Sequence, residues 1–223
     1  MPLRKSKGNM YPWIDSTWNP IKGICPHQCS YCYMRPFWKQ MKAPRLVEKE
    51  LKTDLGCGNF IFVGSGIDMF AEKIPSEWIK KVLAYCSYFN NRYLFQSKNP
   101  KRFNDFINQF SKNTVLGTTI ETNRRFYLDA LYSVDRCVEM FFITYPKMVS
   151  IEPIMDFDLG ILVKWIRDIK PEFVSIGADS KKHNLPEPPW EKVRELITEL
   201  KTFTKVYEKD NLKRLEVNKK NGK

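Results

Sequence analysis

The most informative stretch of the sequence is GICPHQCSYCYM, residues 23–34. It holds three of the six cysteines of the chain, at Cys25, Cys29 and Cys32. The other three are scattered beside apolar or aromatic residues, as buried free thiols often are: Cys57, Cys86 and Cys137. In a chain without a secretory signal, such clustering argues for a metal site and against a disulfide framework.

The spacing of the three cysteines is compatible with two kinds of metal site, structural zinc and an iron–sulfur cluster. Structural zinc normally takes four protein ligands, and His27 would be the fourth here. Zinc sites usually combine two separated ligand pairs, whereas these four residues would crowd into one short loop. A four-iron cluster held by three cysteines leaves one iron open to a substrate or cofactor. The residues therefore favour an iron–sulfur cluster over zinc.

The length and composition predict one globular domain. The chain has 223 residues, of which 43% are hydrophobic and 14% aromatic, enough for a sizeable core. We expect a single domain over 1–223, with its core at about 15–205 and a short basic, frayed C-terminal extension at about 210–223. The sequence has neither a secretory signal nor an apolar run long enough for a membrane helix, so we expect a cytoplasmic protein without membrane contact.

The charge balance is strongly basic, with 37 Lys and Arg against 25 Asp and Glu and a net charge of +12. Excess positive charge favours polyanionic partners, chiefly DNA or RNA. The alternative is a solvated lysine-rich surface, and part of the excess lies in the C-terminal extension.

Short apolar runs alternate with amphipathic stretches along the chain, a pattern typical of βα units and a parallel sheet. We predict six strands, around 16–24, 59–64, 92–97, 114–120, 148–154 and 172–177. The helical stretches between them include apolar stripes at 78–86, 103–110, 159–169 and 190–200. This α/β pattern fits an open doubly wound sheet or a partial barrel, and in both folds ligands bind at the carboxyl ends of the strands.

Polar side chains follow the predicted strands at those ends. They are Gly64, Ser65 and Asp68 after the second strand, Lys98 after the third, Thr119 and Glu121 after the fourth, and Glu152 after the fifth. Each acidic residue, taken alone, can be explained as a helix cap or a surface residue. Gathered at the rim formed by the strand ends, the acidic residues suit a ligand that carries an ammonium, a sulfonium and ribose hydroxyls.

The cysteine loop, with Tyr31 directly before Cys32, resembles the signature of the radical S-adenosylmethionine superfamily. The βα units match the partial (β/α)₆ TIM-type barrel of that superfamily. The segments STWNPIKGICPHQCSYCY, FVGSGIDMF, FQSKNPKRF, LGTTIET and SIEPI look like its phage-protein branch, which is similar to spore photoproduct lyase, an enzyme that repairs a thymine dimer in DNA. The resemblance spans roughly residues 15–180.

The resemblance implies a role for each matching residue. Cys25, Cys29 and Cys32 would bind three irons of a [4Fe–4S] cluster, and S-adenosylmethionine would chelate the fourth. Tyr31 would pack against the adenine of the cofactor, and Ser65 and Asp68 of the Gly64 turn would contact its amino group. Lys98 would meet its carboxylate, and Thr119 and Glu121 would contact its ribose or methionyl end. Glu152 would lie near the cofactor or substrate. Reductive cleavage of the cofactor would give a 5′-deoxyadenosyl radical that abstracts hydrogen from the substrate. An external one-electron donor of the ferredoxin or flavodoxin type is also implied.

The chain departs from the resembled enzymes in three places. The turn at 64–66 reads Gly-Ser-Gly where the superfamily has two glycines and a glutamate. Residues 60–66 contain no cysteine, although the lyase has a hydrogen-donating cysteine near this turn. A second cysteine cluster, typical of members with an auxiliary iron–sulfur centre, is missing as well. The catalytic residues therefore stay unassigned.

We expect the substrate to be a nucleic acid base or nucleotide that is repaired or modified. Candidate contacts are the cations and the aromatic near the loop and the third strand: Arg35, Trp38, Lys39, Lys101 and Arg102. For the last two, the alternative is a helix start whose charges face water. Two other functions remain open, namely a radical enzyme acting on a small molecule or peptide, and a non-catalytic, zinc-stabilised nucleic-acid-binding module.

Overall fold

The computed structural model describes residues 3–126, 132–181 and 183–220, with side chains to residue 216. Ten strands occur in these ranges: β1 Arg4–Lys5, β2 Ser16–Trp18, β3 Ile21–Lys22, β4 Arg45–Leu46, β5 Phe60–Val63, β6 Arg92–Gln96, β7 Thr114–Thr119, β8 Lys147–Ile151, β9 Phe173–Ile176 and β10 Lys205–Glu208. The helices are α1 Ser76–Cys86, α2 Ser133–Phe142, α3 Leu159–Ile169, α4 Trp190–Lys201 and α5 Lys213–Lys220. Four 3₁₀ helices cover Arg35–Gln40, Glu48–Lys52, Pro100–Gln109 and Asp210–Leu212.

Eight of these strands form one sheet in the order β1-β2-β5-β6-β7-β8-β9-β10. Strand β1 runs antiparallel to β2, and every later neighbour in the order is parallel. Strands β7 and β8 are buried along their whole length, as expected for parallel strands covered on both faces. Within the described ranges β1 and β10 are the two edges, so the sheet curves as a partial barrel without closing.

The alternation of side chains along the strands divides the core into two layers. Between the sheet and its helices lies the larger layer, which includes the apolar stripes of α1, α3 and α4. The smaller layer fills the inside of the barrel and consists of Tyr11, Ile14, Phe62, Leu94, Val115, Met148 and Phe173.

The N-terminal segment at 9–15 completes the inside of the barrel. The ring of Trp13 lies 4.2 Å from that of Tyr207 in β10 and 4.8 Å from that of Phe173 in β9, between ring centroids. Tyr11 stacks on Trp13 at 4.9 Å and also packs against Phe62. This segment therefore packs against the inner side chains of β5, β9 and β10.

The predicted α/β partial barrel is confirmed, and most strand bounds agree to within a few residues. The first predicted strand is shorter than expected, because after Trp18 the chain leaves the sheet to form β3. Several elements were not predicted, among them β1, the β3–β4 pair and α5. Two of them matter for the site: α2, between β7 and β8, and β10, a seventh parallel strand paired with β9.

The C-terminal part is more closely packed than the sequence suggested. Residues from about 210 were expected to be frayed. The structure begins α5 at Lys213 and buries Leu212 and Leu215 in the larger core layer. Arg214 in this helix pairs with Glu187, with Nη2 and Oε1 2.5 Å apart. None of the described helices has both the length and the apolar character needed to cross a bilayer.

Candidate functional site

A cavity of about 620 Å³ opens at the carboxyl ends of the parallel strands. Its size falls in the range of small-molecule and cofactor sites. One wall is formed by the cysteine loop and the strand ends of β5, β6 and β7. The opposite wall is formed by the N-terminal segment and the strand ends of β8, β9 and β10. The sequence-based expectation that ligands bind at this rim therefore agrees with the position of the cavity.

All three clustered cysteines line this cavity as free thiols. The loop is wound into successive turns, in which the Cys32 amide donates to the Cys29 carbonyl at 3.0 Å and the Arg35 amide donates to the Cys32 carbonyl at 3.0 Å. Burial, with a contribution from the charge of Asp68, raises the pKa of the Cys25 thiol to about 12. Burial also raises the pKa of Cys29. A bound metal would favour the deprotonated form of both thiols.

The donor set fits an iron–sulfur cluster. Three cysteine thiols face one cavity from one loop, and soft thiolate ligands suit iron–sulfur clusters. In a four-iron cluster held by three cysteines, each cysteine binds a different iron and one iron stays open to a cofactor. Across the described ranges, no group of three His, Cys, Asp or Glu side chains is arranged around a single ion position.

His27 ties the cysteine loop to the turn that follows β5. Its Nε2 lies 2.8 Å from Oδ2 of Asp68. The same carboxylate accepts hydrogen bonds from the Ser97 hydroxyl at 2.9 Å, the Lys98 amide at 2.8 Å and the Phe70 amide at 2.9 Å. Burial alone would raise the pKa of Asp68, but these hydrogen bonds and the His27 charge lower it overall.

Asp68 lines the cavity, and its contact with the amino group of the cofactor stays a prediction. Its two oxygens accept four hydrogen bonds from protein groups, so the carboxylate also holds the loop and β6 in place. His27, weighed from the sequence as a zinc ligand, is instead the hydrogen-bond partner of Asp68.

Gly64 and Ser65 begin a tight turn that approaches the cysteine loop. Gly64 has φ of +79°, in the left-handed region that favours glycine, and a Cβ there would lie 3.1 Å from the Ile67 carbonyl oxygen. Asn19, which sequence reasoning missed, holds this turn. Its Oδ1 accepts from the Gly66 amide at 2.9 Å, and its Nδ2 donates to the Ser65 hydroxyl at 3.1 Å. Gly64 and Ser65 line the cavity, as predicted.

Lys98 and Tyr31 meet at the cavity wall beside the cysteines. The Lys98 ammonium lies 5.1 Å from the centre of the Tyr31 ring. Both side chains also donate hydrogen bonds to Oε1 of Glu121. Lys98, Tyr31 and Thr119 are all cavity-lining residues, which agrees with their predicted location.

Glu121 itself does not reach the cavity, which corrects its predicted contact with the ribose or methionyl end. The side chain is fully buried and ion-paired with Arg136 of α2, whose Nη2 lies 2.7 Å from Oε2. Burial would raise the pKa of Glu121, but Arg136 and Lys98 together hold it far below its ordinary value. Glu121 therefore fixes the side chains of Lys98 and Tyr31 by accepting a hydrogen bond from each of them. Arg136 was missed because α2 was not predicted.

Glu152 lies on the opposite wall of the cavity. Its carboxylate accepts from Lys209 Nζ at 2.8 Å, from Asn9 Nδ2 at 3.1 Å and from Asn211 Nδ2 at 3.4 Å. These three partners come from the N-terminal segment and from the chain after β10, and none was singled out from the sequence. Glu152 lines the cavity, and its place near a cofactor or substrate stays a prediction.

A chain of hydrogen bonds connects the two walls across the floor of the cavity. The Tyr11 hydroxyl donates to Gln96 Oε1 at 2.8 Å, and Gln96 Nε2 donates to the Thr119 hydroxyl at 3.0 Å. Burial, reinforced by the charge of Glu152, raises the pKa of Tyr11 well above its ordinary value, so the phenol stays protonated. The floor thus offers fixed amide and hydroxyl groups.

The predicted nucleic-acid contacts are not gathered at one place. Arg102 is buried, and it donates to the carbonyls of Ala71 and Ile74, the latter at 2.5 Å, and to the Ser76 hydroxyl at 3.2 Å. Its predicted role in nucleic-acid binding is therefore wrong, because the guanidinium already donates its hydrogen bonds to the turn before α1 and to the start of that helix. Lys101 lies in the same 3₁₀ helix as Arg102, Pro100–Gln109, and is exposed.

Arg35, Trp38 and Lys39 lie just beyond the cysteine loop, but they are not among the residues that line the cavity. The lysines at its mouth are Lys7 and Lys181, both exposed. Sequence reasoning missed these two, since neither belongs to a motif.

Solved structures of spore photoproduct lyase share this fold. A variant with bound AdoMet and dinucleoside spore photoproduct is 12% identical, with a TM-score of 0.65 over 93% of this chain and 80% of that one. The complex with dinucleoside spore photoproduct is 12% identical, with a TM-score of 0.64 over 90% and 78%. The resemblance to the lyase drawn from the sequence is thus confirmed at the level of the fold. No curated protein matches the chain in sequence.

A family model described as "Protein of unknown function (DUF5131)" matches residues 9–198. The matched range includes the cysteine loop, every strand from β2 to β9 and nearly all of α4. The chain therefore belongs to the DUF5131 family, and it has the fold of spore photoproduct lyase.

Proposed function

We propose that this protein is a radical S-adenosylmethionine enzyme that acts on a nucleic acid base or nucleotide. One observation carries the proposal: three thiols from a single loop face the same cavity as Lys98, Tyr31, Thr119 and the Gly64–Ser65 turn. The lyase-like fold supports it, since a solved structure of that lyase holds AdoMet.

In this proposal Cys25, Cys29 and Cys32 hold a [4Fe–4S] cluster and leave one iron for the cofactor. Lys98 is the cation at the wall and is suited to a carboxylate, because Glu121 and Tyr31 fix its position. Ser65 and the Gly64 turn offer a hydroxyl and backbone groups close to the loop.

Cys25, Cys29 and Cys32 would hold the cluster, which would supply the electron for reductive cleavage of S-adenosylmethionine and so for hydrogen abstraction from the substrate. The residues of the chain orient the reactants and exclude water. Tyr31 and the buried Glu121–Arg136 pair close the wall behind the cofactor. Tyr11 and Phe62 of the inner core close the floor.

The opposite wall favours a planar, hydrogen-bonding substrate such as a nucleobase. Glu152 on this wall and Gln96 on the floor present a carboxylate and an amide, the groups that read base edges. Lys7 and Lys181 at the mouth are placed to meet phosphate oxygens, and the net charge of +12 favours a polyanion. A base would have to leave its stack to enter the cavity, as in other enzymes that do chemistry on bases.

The test is an anaerobic reconstitution with iron and sulfide, followed by reduction with dithionite in the presence of S-adenosylmethionine. We expect a brown protein that forms 5′-deoxyadenosine, and we expect single-stranded or duplex oligonucleotides to stimulate this cleavage. Cys29→Ala should lose both the iron and the turnover. Cys86→Ala, a matched control at a buried cysteine of α1, should keep both and cost roughly 1 kcal/mol of stability.

Two outcomes would contradict different parts of the proposal. A colourless protein that binds stoichiometric zinc would exclude the radical chemistry. A brown, active protein that ignores every oligonucleotide and nucleoside offered would leave the chemistry standing and exclude the nucleic-acid substrate.

A further inference from the structure

Helix α2 is apolar on the side that faces away from the rest of the protein. Four of its side chains recur at the spacing of one helical face and are all exposed: Val134, Val138, Phe141 and Phe142. Phe142 is 68% exposed, and its ring packs edge-on against that of Phe141. The opposite side of the helix, which includes Cys137 and Met140, is buried. Surface helices normally turn polar residues outward, so an apolar outer side points to a partner.

The neighbouring helix adds a further exposed apolar side chain. Helix α3 packs against α2, with the Cys137 sulfur 3.9 Å from the Trp165 carbonyl oxygen, and Ile161 of α3 is 47% exposed. We call the five exposed apolar side chains of the two helices the α2 face: Val134, Val138, Phe141, Phe142 and Ile161. Together they present roughly 500 Å² of apolar side-chain surface, a size that often marks an interaction site.

The charges beside the α2 face argue against a membrane or a nucleic acid as the partner. The two charged residues on the exposed part of α2 are acidic, Asp135 and Glu139, and neither forms an ion pair with a described residue. The one cation of this helix, Arg136, is buried against Glu121. Helices that lie on membranes carry lysine and arginine on their polar side, and carboxylates repel phosphates. The partner should therefore be a protein, and a basic one.

A second copy of this chain has these properties. Its net charge of +12 supplies cations for the acidic side of α2. Two identical apolar faces can cover each other around a two-fold axis, which is the commonest symmetry of soluble oligomers. A stable interface buries about 800 Å² on each partner, and about 65% of a homodimer interface is apolar, so the roughly 500 Å² of the α2 face is the apolar share that a dimer needs.

We propose that two copies of this chain associate through the α2 face as a two-fold dimer. The proposal is independent of the proposed function, because the α2 face contains none of the cavity-lining residues. It does bear on the cavity wall, since the buried side of the same helix carries Arg136, which holds Glu121 behind Lys98 and Tyr31. A partner on the outer side of α2 would brace the helix that supports this wall.

Sedimentation velocity over a range of concentrations tests the proposal on the 223-residue chain. The test variants are Phe142→Lys and, separately, Val138→Lys. The matched control is Tyr88→Lys, which places the same charge at an aromatic residue that is 79% exposed outside the α2 face. We expect the wild type to sediment at twice the mass of one chain, and each test variant to have a dissociation constant raised at least about tenfold. The control should stay within about twofold of the wild type.

Circular dichroism shows whether each variant is folded, and the milder Val138→Ser replaces any variant that is not. A wild type that stays monomeric at about 100 μM would overturn the proposal. A dimer that the test variants leave unchanged would also overturn it, because the contact would then lie elsewhere. Binding of a monomeric wild type to phosphatidylglycerol vesicles would overturn it as well and would assign the α2 face to a lipid surface.

Discussion

Asp68 and His27 form a direct link between two strand ends, with 2.8 Å between the carboxylate Oδ2 and the imidazole Nε2. The histidine lies between two of the clustered cysteines, and the carboxylate also anchors the start of the chain after β6 through Ser97 and the Lys98 amide. One acidic side chain thus positions both the cysteine loop and the lysine at the end of the neighbouring strand β6. Partners of this kind, which orient the groups around a metal site, often affect metal affinity strongly.

We predict that His27→Ala weakens cluster retention without unfolding the protein. The loop would lose its tether to Asp68, so cluster iron should pass to a chelator roughly tenfold faster than in the wild type. Anaerobic iron release followed by absorbance measures this rate. Ser30→Ala, an exposed neighbour in the same loop, is the matched control and should release iron at the wild-type rate. Equal iron-release rates for His27→Ala and Ser30→Ala would show that the contact between His27 and Asp68 does not affect cluster retention.

The buried Glu121–Arg136 pair predicts a pH-dependent stability. Glu121→Gln leaves the Arg136 guanidinium without its counter-charge, which should cost about 3–5 kcal/mol at pH 7. Because the folded-state pKa of Glu121 lies below its ordinary value of 4.5, its contribution is present above that pH and is lost as the pH falls further. Urea unfolding from pH 7 to pH 3 should therefore show the gap between wild type and variant closing only below about pH 4.5.

The control for this measurement is Glu77→Gln at the exposed start of α1. Its stability should stay within about 0.5 kcal/mol of the wild type at neutral pH. A gap for Glu121→Gln that stayed constant down to pH 3 would contradict the assignment of the charged pair.

Arg102 and Lys101 are adjacent but should behave in opposite ways. Arg102→Met leaves the Ala71 and Ile74 carbonyls without their donor, so we expect a loss of about 2–4 kcal/mol in the free energy of unfolding. Lys101→Gln should leave stability unchanged. Thermal unfolding compares the two, and an Arg102→Met protein as stable as the wild type would refute the structural role given to this arginine.

Gly177 controls the position of Glu152 and offers a test of the substrate wall. A Cβ at this position would lie 2.7 Å from Glu152 Cδ, so Gly177→Ala must displace the carboxylate. We expect the variant to keep its iron but to lose about three- to tenfold in stimulation of cofactor cleavage by oligonucleotides. Gly160→Ala, where a Cβ meets open space, is the control. Unchanged stimulation in Gly177→Ala would place the substrate elsewhere.

The sequence predicted the parallel strands because their signal is local. Runs such as FIFV and RYLFQ are apolar, β-rich and bounded by turn residues. Strand β10, KVYE, has charged ends and only partly buried middle residues, so it looks like a surface stretch. Helix α2 was missed because its outer side is also apolar: Val138 and Phe141 are each about half exposed, which blurs the helical periodicity.

The sequence predicted those site residues that belong to the cysteine motif or directly follow a strand. The cysteines, Lys98 and Ser65 follow strands directly and reach the cavity. The pairing of acids with distant cations was not predictable, since Arg136 comes from an unpredicted helix and Lys209 and Asn211 follow an unpredicted strand. A sequence shows that a residue is acidic, but only the fold shows whether that charge is already satisfied.

The N-terminal segment that completes the barrel has a consequence for how this scaffold diversifies. Asn9 and Tyr11 belong to a stretch tied to the sheet through the two-residue strand β1 and a few aromatic contacts. Changes there would reshape the wall opposite the cysteines while the loop, its His27 anchor and the Glu121–Arg136 pair stayed as they are. A handful of residues at one end of the chain can thus alter the shape of the cavity while the wall that carries the cysteines is kept.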